Sequence, residues 1–162
     1  MARTHSDEAW RDWFQQHGPR LLLFARQQTR SEHDAEDVLQ EACVRVWKYG
    51  NHDVRLAYRA IRNAAIDLAR SRQRRAAREE SVVGDMIAWF DNPMIEAERT
   101  QAIQGALVGL PAGQQEVVTL KVWGELTFAE IAEVLQIPAN TAASRYRLAL
   151  ETLRRTLHLS MV

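Results

Sequence analysis

The sequence predicts an all-α protein built as two small helical domains joined by a flexible linker. Apolar residues recur at three- and four-residue spacing along most of the chain, and no stretch alternates in the manner of a strand. An aperiodic, acidic, glycine-containing segment at 79–92 divides the two periodic regions. A chain of 162 residues with 46% hydrophobic content can bury one ordinary core or two small ones.

Ser6 is placed to cap a first helix whose apolar stripe is Trp10, Trp13 and Phe14. Gly18-Pro19 is expected to break it before a second helix bearing Leu21, Leu22, Phe24 and Ala25. From Asp34 the spacing of Ala35, Val38, Leu39, Ala42 and Val46 predicts a third helix, with Asp34, Glu36, Asp37 and Glu41 on or beside its polar side and Gly50 as its stop. After Asn51-His52-Asp53, the segment Val54 to Arg78 carries Leu56, Tyr58, Ile61, Ala65, Ile66 and Leu68 on a helix crowded with arginine.

Beyond the linker EESVVGDMIAWFDN, Asn92-Pro93 is a cap followed by a first-turn proline, leading into Ile95, Ala102, Ile103, Ala106, Leu107 and Leu110. Leu110-Pro111 starts another helix through Val117, Val118, Leu120 and Val122, which Gly124 ends. Thr127 then caps a short helix from Phe128 to Leu135, Gln136-Ile137-Pro138 makes a tight connection, and Asn140 caps a long helix from Thr141. Helix, short turn and capped helix is the form of a helix-turn-helix, whose second helix enters the major groove by its first turns. The side chains placed to do so are Asn140, Thr141, Ser144, Arg145 and Arg147.

The formal net charge of zero conceals a strong partition. Residues 1–41 carry 5 basic and 8 acidic side chains, 42–78 carry 10 and 2, and 79–162 carry 6 and 11. A basic middle between acidic flanks suits a local contact with phosphates. Arg55, Arg59, Arg62, Arg70, Arg72, Arg74, Arg75 and Arg78 face only Asp67 as an internal acid, which favours DNA contact over a self-paired solvated face. Tyr58, Arg59, Arg62, Asn63 and Asp67 could hold an unstacked base, although Tyr58 alone reads equally as a core residue. The acidic third helix would repel DNA and suits a protein partner better.

Chemistry has no anchor in the chain. There is no glycine-rich phosphate loop, no His-x-x-x-His or Cys-x-x-Cys pair, and His5, His17, His33, His52 and His158 lie far apart, so neither an enzyme nor a metal or other cofactor is expected. His33 beside Asp34 and Asp37 reads as a surface or capping histidine at a helix start. Cys43 stands alone and reads as small core filler in a reducing compartment. No apolar run approaches the ~20 residues of a membrane span, and the polar start MARTHSDEAW lacks a signal peptide's apolar stretch, so a cytoplasmic protein without membrane insertion is expected.

Taken in order, HDAEDVLQEACVRVWK, YRAIRNAAIDLARSRQRR and LPAGQQEVVTLKVWGELTFAEIAEVLQIPANTAASRYRLALETLRR resemble the successive motifs of the extracytoplasmic-function sigma factors of the sigma-70 family, from about Trp10 to Leu157. The resemblance implies a sigma-2 domain at 6–78, a linker at 79–92 and a sigma-4 helix-turn-helix domain at 93–160. It implies core RNA polymerase as partner, with Asp37, Gln40, Glu41, Arg45 and Trp47 on the beta-prime clamp helices and the sigma-4 domain touching the beta flap. It further implies promoter DNA, double-stranded and locally melted, with Lys48, Asn51, Tyr58, Arg59, Arg62, Asn63, Asp67 and Arg70 at the minus-10 element. Asn140, Thr141, Ser144, Arg145 and Arg147 would read the minus-35 element, and an anti-sigma factor is a common companion of such proteins. Leu56 stands where many relatives have tryptophan, and Ala143, Leu148 and Leu150 stand where many have lysine or arginine. The alternatives are a freestanding helix-turn-helix regulator that needs no polymerase and an adaptor whose basic helix binds an acidic protein.

Overall fold

The computed structural model describes residues 2–49, 52–76, 88–90 and 97–160, and the side chains of 2–6, 97 and 159–160 within them are not described. Among these residues the chain is helical, with seven helices and no strand. It packs as two compact units that divide between Ile87 and Ala88.

The first unit is a bundle of α1 (Ala2–Gln28), α2 (Glu32–Tyr49) and α3 (Val54–Ala76), each touching the other two. Where the sequence predicts two short opening helices, α1 is continuous and Pro19 lies inside it. An interior proline deletes one backbone hydrogen bond and crowds the preceding turn, at about 3 kcal/mol. Trp13 on one side of it and Leu21, Leu23, Phe24 and Ala25 on the other are all buried. Each large apolar side chain so buried contributes about 1.5–3 kcal/mol, so the shared core outweighs the proline and the helix runs through. The helix already includes position 6, so Ser6 is not its cap. Phe14, expected on the apolar stripe, is 42% exposed, and its ring lies over Gly18, where a Cβ would come within 3.3 Å of it.

The start of α2 is a capping arrangement that periodicity did not locate. Ser31 Oγ accepts from the Asp34 N–H at 3.1 Å, and the Ser31 carbonyl accepts the first helical bond, from the Ala35 N–H at 3.0 Å. Arg26 of α1 reaches across the turn with Nη2 2.8 Å from the Glu32 carboxylate. Ala35, Val38, Leu39, Ala42 and Val46 are buried as the period requires, with Cys43 beside them. Burial pushes the Cys43 thiol up to about 11, so it sits in the core as an un-ionised small apolar group.

The second unit comprises α4 (Ala97–Val108), α5 (Ala112–Val122), α6 (Phe128–Leu135) and α7 (Ala139–Ser160), with α7 against the other three. Leu107, Val117, Val118, Leu120, Ile131 and Val134 form its core, and the small Ala142 and Ala149 let α7 approach closely. Ala102, Ile103 and Val122, expected on apolar stripes, are exposed instead. Pro111 is the residue before α5 rather than its first turn, and Gln115 Nε2 turns back to the Val108 and Leu110 carbonyls at 3.0 and 2.8 Å, closing the end of α4. α5 ends at Val122 with Trp123 as its C-cap, and Gly124 just beyond it must be glycine, because a Cβ there would lie 2.6 Å from the Leu120 carbonyl oxygen.

Residues 88–90, within the segment read as a linker, belong to this second unit. Trp89 is buried, its backbone N–H donates to Gln104 Oε1 at 3.1 Å, and Phe90 packs on Trp123 with ring centroids 5.4 Å apart. The expected helix start at Asn92-Pro93, with Ile95, lies outside the described residues, as do Gly50, Arg78 and the rest of the linker segment.

Candidate nucleic-acid interface

Two helices of the first unit present opposite chemistries. On α2, Asp37, Gln40, Glu41, Arg45 and Trp47 are all exposed; Asp37, Gln40, Glu41 and Arg45 are linked by three- and four-residue spacings, and Trp47 lies two turns beyond Gln40 on the same flank. His33 Nε2 stands 3.2 Å from Asp37 and Arg45 Nη2 3.9 Å from Glu41, both as exposed i,i+4 pairs worth little in stability. Trp47 is 46% exposed and meets Trp10 of α1 edge-on at 5.3 Å. Asp34 does not belong to this face: it is buried, and its carboxylate lies 2.6 Å from Arg72 Nη1 of α3. Burial alone would oppose its charge, yet Arg72 and the Ser31 hydroxyl outweigh it and hold the carboxyl below the usual aspartate range.

On α3, Arg59, Asn63, Asp67 and Arg70 are exposed and Arg62 is half-buried, grouped by the same spacing on the side turned away from the core. Tyr58 lies on the other side. It is 1% exposed, with Phe24 against it at 5.4 Å, so its aromatic face is spent on the core and is not offered to a base. The arginine row is also thinner than the sequence suggests. Arg72 pairs with Asp34, and Arg55 folds back on Asp53, with Nε 3.2 Å from Oδ1. Burial opposes ionisation of Asp53, but its contacts with Arg55 and the Leu56 backbone hold its carboxyl below the usual range. Asp53 caps α3, accepting the Arg55 N–H at 3.0 Å.

Lys48 is exposed on the last turn of α2, while Asn51 lies outside the described residues. His52 has a left-handed backbone, φ 47°, and its carbonyl oxygen accepts the Trp13 indole N–H at 2.8 Å.

In the second unit the helix-turn-helix has its expected start. Thr127 Oγ1 accepts from the Glu130 N–H at 3.2 Å and Glu130 Oε1 accepts from the Thr127 N–H at 3.0 Å, a reciprocal capping box. Gln136 turns the chain in the left-handed region, φ 56°, and its N–H and that of Ile137 both return to the Ala132 carbonyl. The second helix begins earlier than expected. It starts at Ala139, the Pro138 carbonyl accepts from the Ala142 N–H at 3.1 Å, and Asn140 is a first-turn residue and not the cap.

Asn140, Thr141, Ser144 and Arg147 share the solvent side of α7 with Leu148, which is 48% exposed. Arg145 is set apart from them. Its guanidinium lies over Gly113 at the start of α5, with Nη1 3.1 Å from where a Cβ would stand, so it braces α7 on α5.

Profiles of the sigma-70 family match both units: "Sigma-70 region 2" over residues 13–75 and "Sigma-70, region 4" over 100–153. The RNA polymerase sigma-E factor of Streptomyces coelicolor is 32% identical over 145 residues, 85% of this chain and 79% of that protein. The chain belongs to the extracytoplasmic-function sigma factors of the sigma-70 family. The ECF sigma factor RpoE of Cereibacter sphaeroides is 29% identical over 162 residues, covering 94% of this chain and 89% of its own. The fold is shared with RpoE of Bartonella quintana in complex with the anti-sigma factor NepR, at TM-score 0.77 and 19% identity over 93% of this chain and 98% of the other. CnrH in complex with the cytosolic domain of CnrY superposes at TM-score 0.62 and 24% identity, over 94% and 90% of the two chains.

In this sigma factor, region 2 thus contains the acidic α2 face and the basic α3 face, and region 4 contains the helix-turn-helix. Sigma factors are regulatory proteins rather than catalysts. Among the described residues no helix is long and apolar enough to cross a membrane. The pairing of Asp34 with Arg72, between α2 and α3, and the bond from Trp13 of α1 to His52 in the α2–α3 connection had no signal in sequence spacing, because each joins groups far apart in sequence.

Proposed function

We propose that this sigma factor docks on core RNA polymerase through the exposed face of α2, recognises and helps to open the minus-10 element with the α2–α3 connection and α3, and reads the minus-35 element with the first turns of α7. The observation that carries the reading is the placement of an acidic, tryptophan-bearing face and an arginine-bearing face on adjacent helices of one small bundle. The acidic face suits basic protein helices such as the beta-prime clamp helices and would be repelled by DNA, whereas the arginine face suits phosphates. The working division is a sigma-2 domain at 6–78, a tether at 79–92 and a sigma-4 domain at 93–160 that also meets the beta flap.

Within this reading the minus-10 set is Lys48, Asn51, Arg59, Arg62, Asn63, Asp67 and Arg70, without Tyr58. At minus-35, Asn140, Thr141, Ser144 and Arg147 make the contacts, and Arg145 supports them from behind. The exposed Leu148 in the middle of that face contributes no hydrogen bond to base or phosphate, so minus-35 affinity is expected to be modest and promoter choice to depend on minus-10. That structures sharing the fold include complexes with NepR and with the cytosolic domain of CnrY supports an anti-sigma factor as a further partner.

Binding to sigma-free core polymerase tests the docking face. The double variant Asp37→Lys, Glu41→Lys changes two exposed side chains and should leave the fold intact while weakening core binding about tenfold or more. Fluorescence titration of the labelled full-length protein measures it. An unchanged affinity would move the interface off α2.

A further inference from the structure

The α2–α3 connection is held from a third helix. Trp13 lies on α1, 39 positions before His52, and its indole Nε1–H donates to the His52 carbonyl oxygen at 2.8 Å. The indole is buried and can only donate, so this carbonyl satisfies a group that has left water. Its orientation is fixed by neighbours: Trp10 stacks on it at 5.1 Å and His17 lies tilted to it at 5.3 Å. His52 adopts φ 47°, a conformation that a residue with a Cβ takes only at a cost. The next residue, Asp53, caps α3, so the exit of the connection is pinned by an indole on one residue and a helix cap on the next. Trp47, near the end of α2, meets Trp10 of the same aromatic cluster at 5.3 Å, so both ends of the connection are tied to α1.

A carbonyl on a surface connection could be satisfied by water, so burial of the Trp13 indole, and not any need of the His52 carbonyl, calls for this bond. It does remove backbone freedom where a base pulled from the stack would be received. Ordering a loose loop at that moment would add to the cost of unstacking, and a loop ordered in advance avoids it.

We infer that Trp13 is a positioning residue for minus-10 recognition: its indole N–H holds the α2–α3 connection at His52 in the backbone conformation that receives the unstacked base. The inference rests on the reading of this unit as the minus-10 reader. It assigns the role to the indole nitrogen and the His52 carbonyl, and none to the His52 imidazole.

The full-length variant Trp13→Phe keeps an aromatic ring in the stack and deletes the donor. It is assayed with core polymerase on a promoter mapped with the unsubstituted protein and on single-base variants of its minus-10 element. For Trp13→Phe, preference for the mapped base over its substitutes should fall about five- to tenfold, the worth of one intramolecular hydrogen bond, with core affinity within about twofold. Backbone amides at 52–55 should exchange faster with solvent deuterium in that variant.

If Trp13→Phe does not fold, benzothienylalanine at position 13, isosteric with tryptophan but carrying sulfur for the N–H, makes the same comparison. A base preference equal to that of the unsubstituted protein would overturn the inference, and so would a uniform drop in transcripts with the preference intact, which marks a purely structural role. Failure of the unsubstituted protein to start transcription at any promoter would sink the sigma reading instead. Amide exchange at 52–55 then still reports whether the indole holds the connection.

Discussion

Arg59→Glu should lower promoter-specific transcript yield about tenfold or more while leaving the melting temperature of the protein essentially unchanged. Arg59 is exposed on the outward side of α3, in the group with Asn63 and Arg70, and takes no part in the core. Surface substitutions of that kind usually alter stability by no more than about 0.5 kcal/mol. In the proposed minus-10 interface, reversing the charge removes one phosphate contact and adds a repulsion, so the loss should extend across promoters, and the salt dependence of promoter binding should flatten by roughly one unit in slope. Run-off transcription and promoter binding measured across a salt series check both expectations. Normal yield with an unchanged salt slope would mean that α3 does not face DNA. Arg62→Ala should act in the same direction, since Arg62 lies on the same side of the helix but is half-buried.

The second large effect concerns stability. Asp34→Ala removes the buried acid that ties the start of α2 to the later turns of α3 and leaves Arg72 without its ion-pair partner. Arg72 is half-exposed and can recover water, so the loss should be about 1–3 kcal/mol, short of that for a fully buried pair. Chemical denaturation of the first unit measures it, and a double-mutant cycle with Arg72→Ala isolates the shared part.

The same pair sets an acid dependence. The folded Asp34 carboxyl titrates below its unfolded value, so the unfolded chain takes up the proton first as pH falls. Its stabilisation is complete above the ordinary aspartate range, near pH ~4, and is lost as pH falls through the folded value. Asp34→Ala should therefore flatten the acid limb of the stability curve, and an acid limb of the same steepness would contradict the pairing.

What could be read from the sequence was what lies within one element. The period of Ala35, Val38, Leu39, Ala42 and Val46 places α2 and its outer face without any partner, because a helix turns the same way wherever it packs. The capping box at Thr127 and Glu130 is likewise local, and it locates the helix-turn-helix. Energies shared between elements were not legible. Pro19 breaks a helix by local rules, yet the core common to α1, α2 and α3 carries α1 through it. Tyr58 has a ring suited to either a base or the core, and only Phe24, far away in sequence, decides the matter.

Asp34 looked like one more acid on a polar face because its partner is 38 positions further on, at Arg72. Asn140 is a favourable cap by type, but Pro138 and Ala139 already begin that helix. Of the candidate contacts, the α2 set and four of the five on α7 share an accessible side, whereas Tyr58 and Arg145 turn inward onto their own units.

The most direct test of promoter-directed initiation is run-off transcription on fragmented DNA from the source organism, with sigma-free core polymerase in the presence and absence of this protein, and mapping of the 5′ ends. The expected result is a small set of discrete new starts whose upstream sequences share two spaced elements. No new starts, from a protein that also fails to bind core, would contradict the account and leave a freestanding DNA-binding regulator in its place.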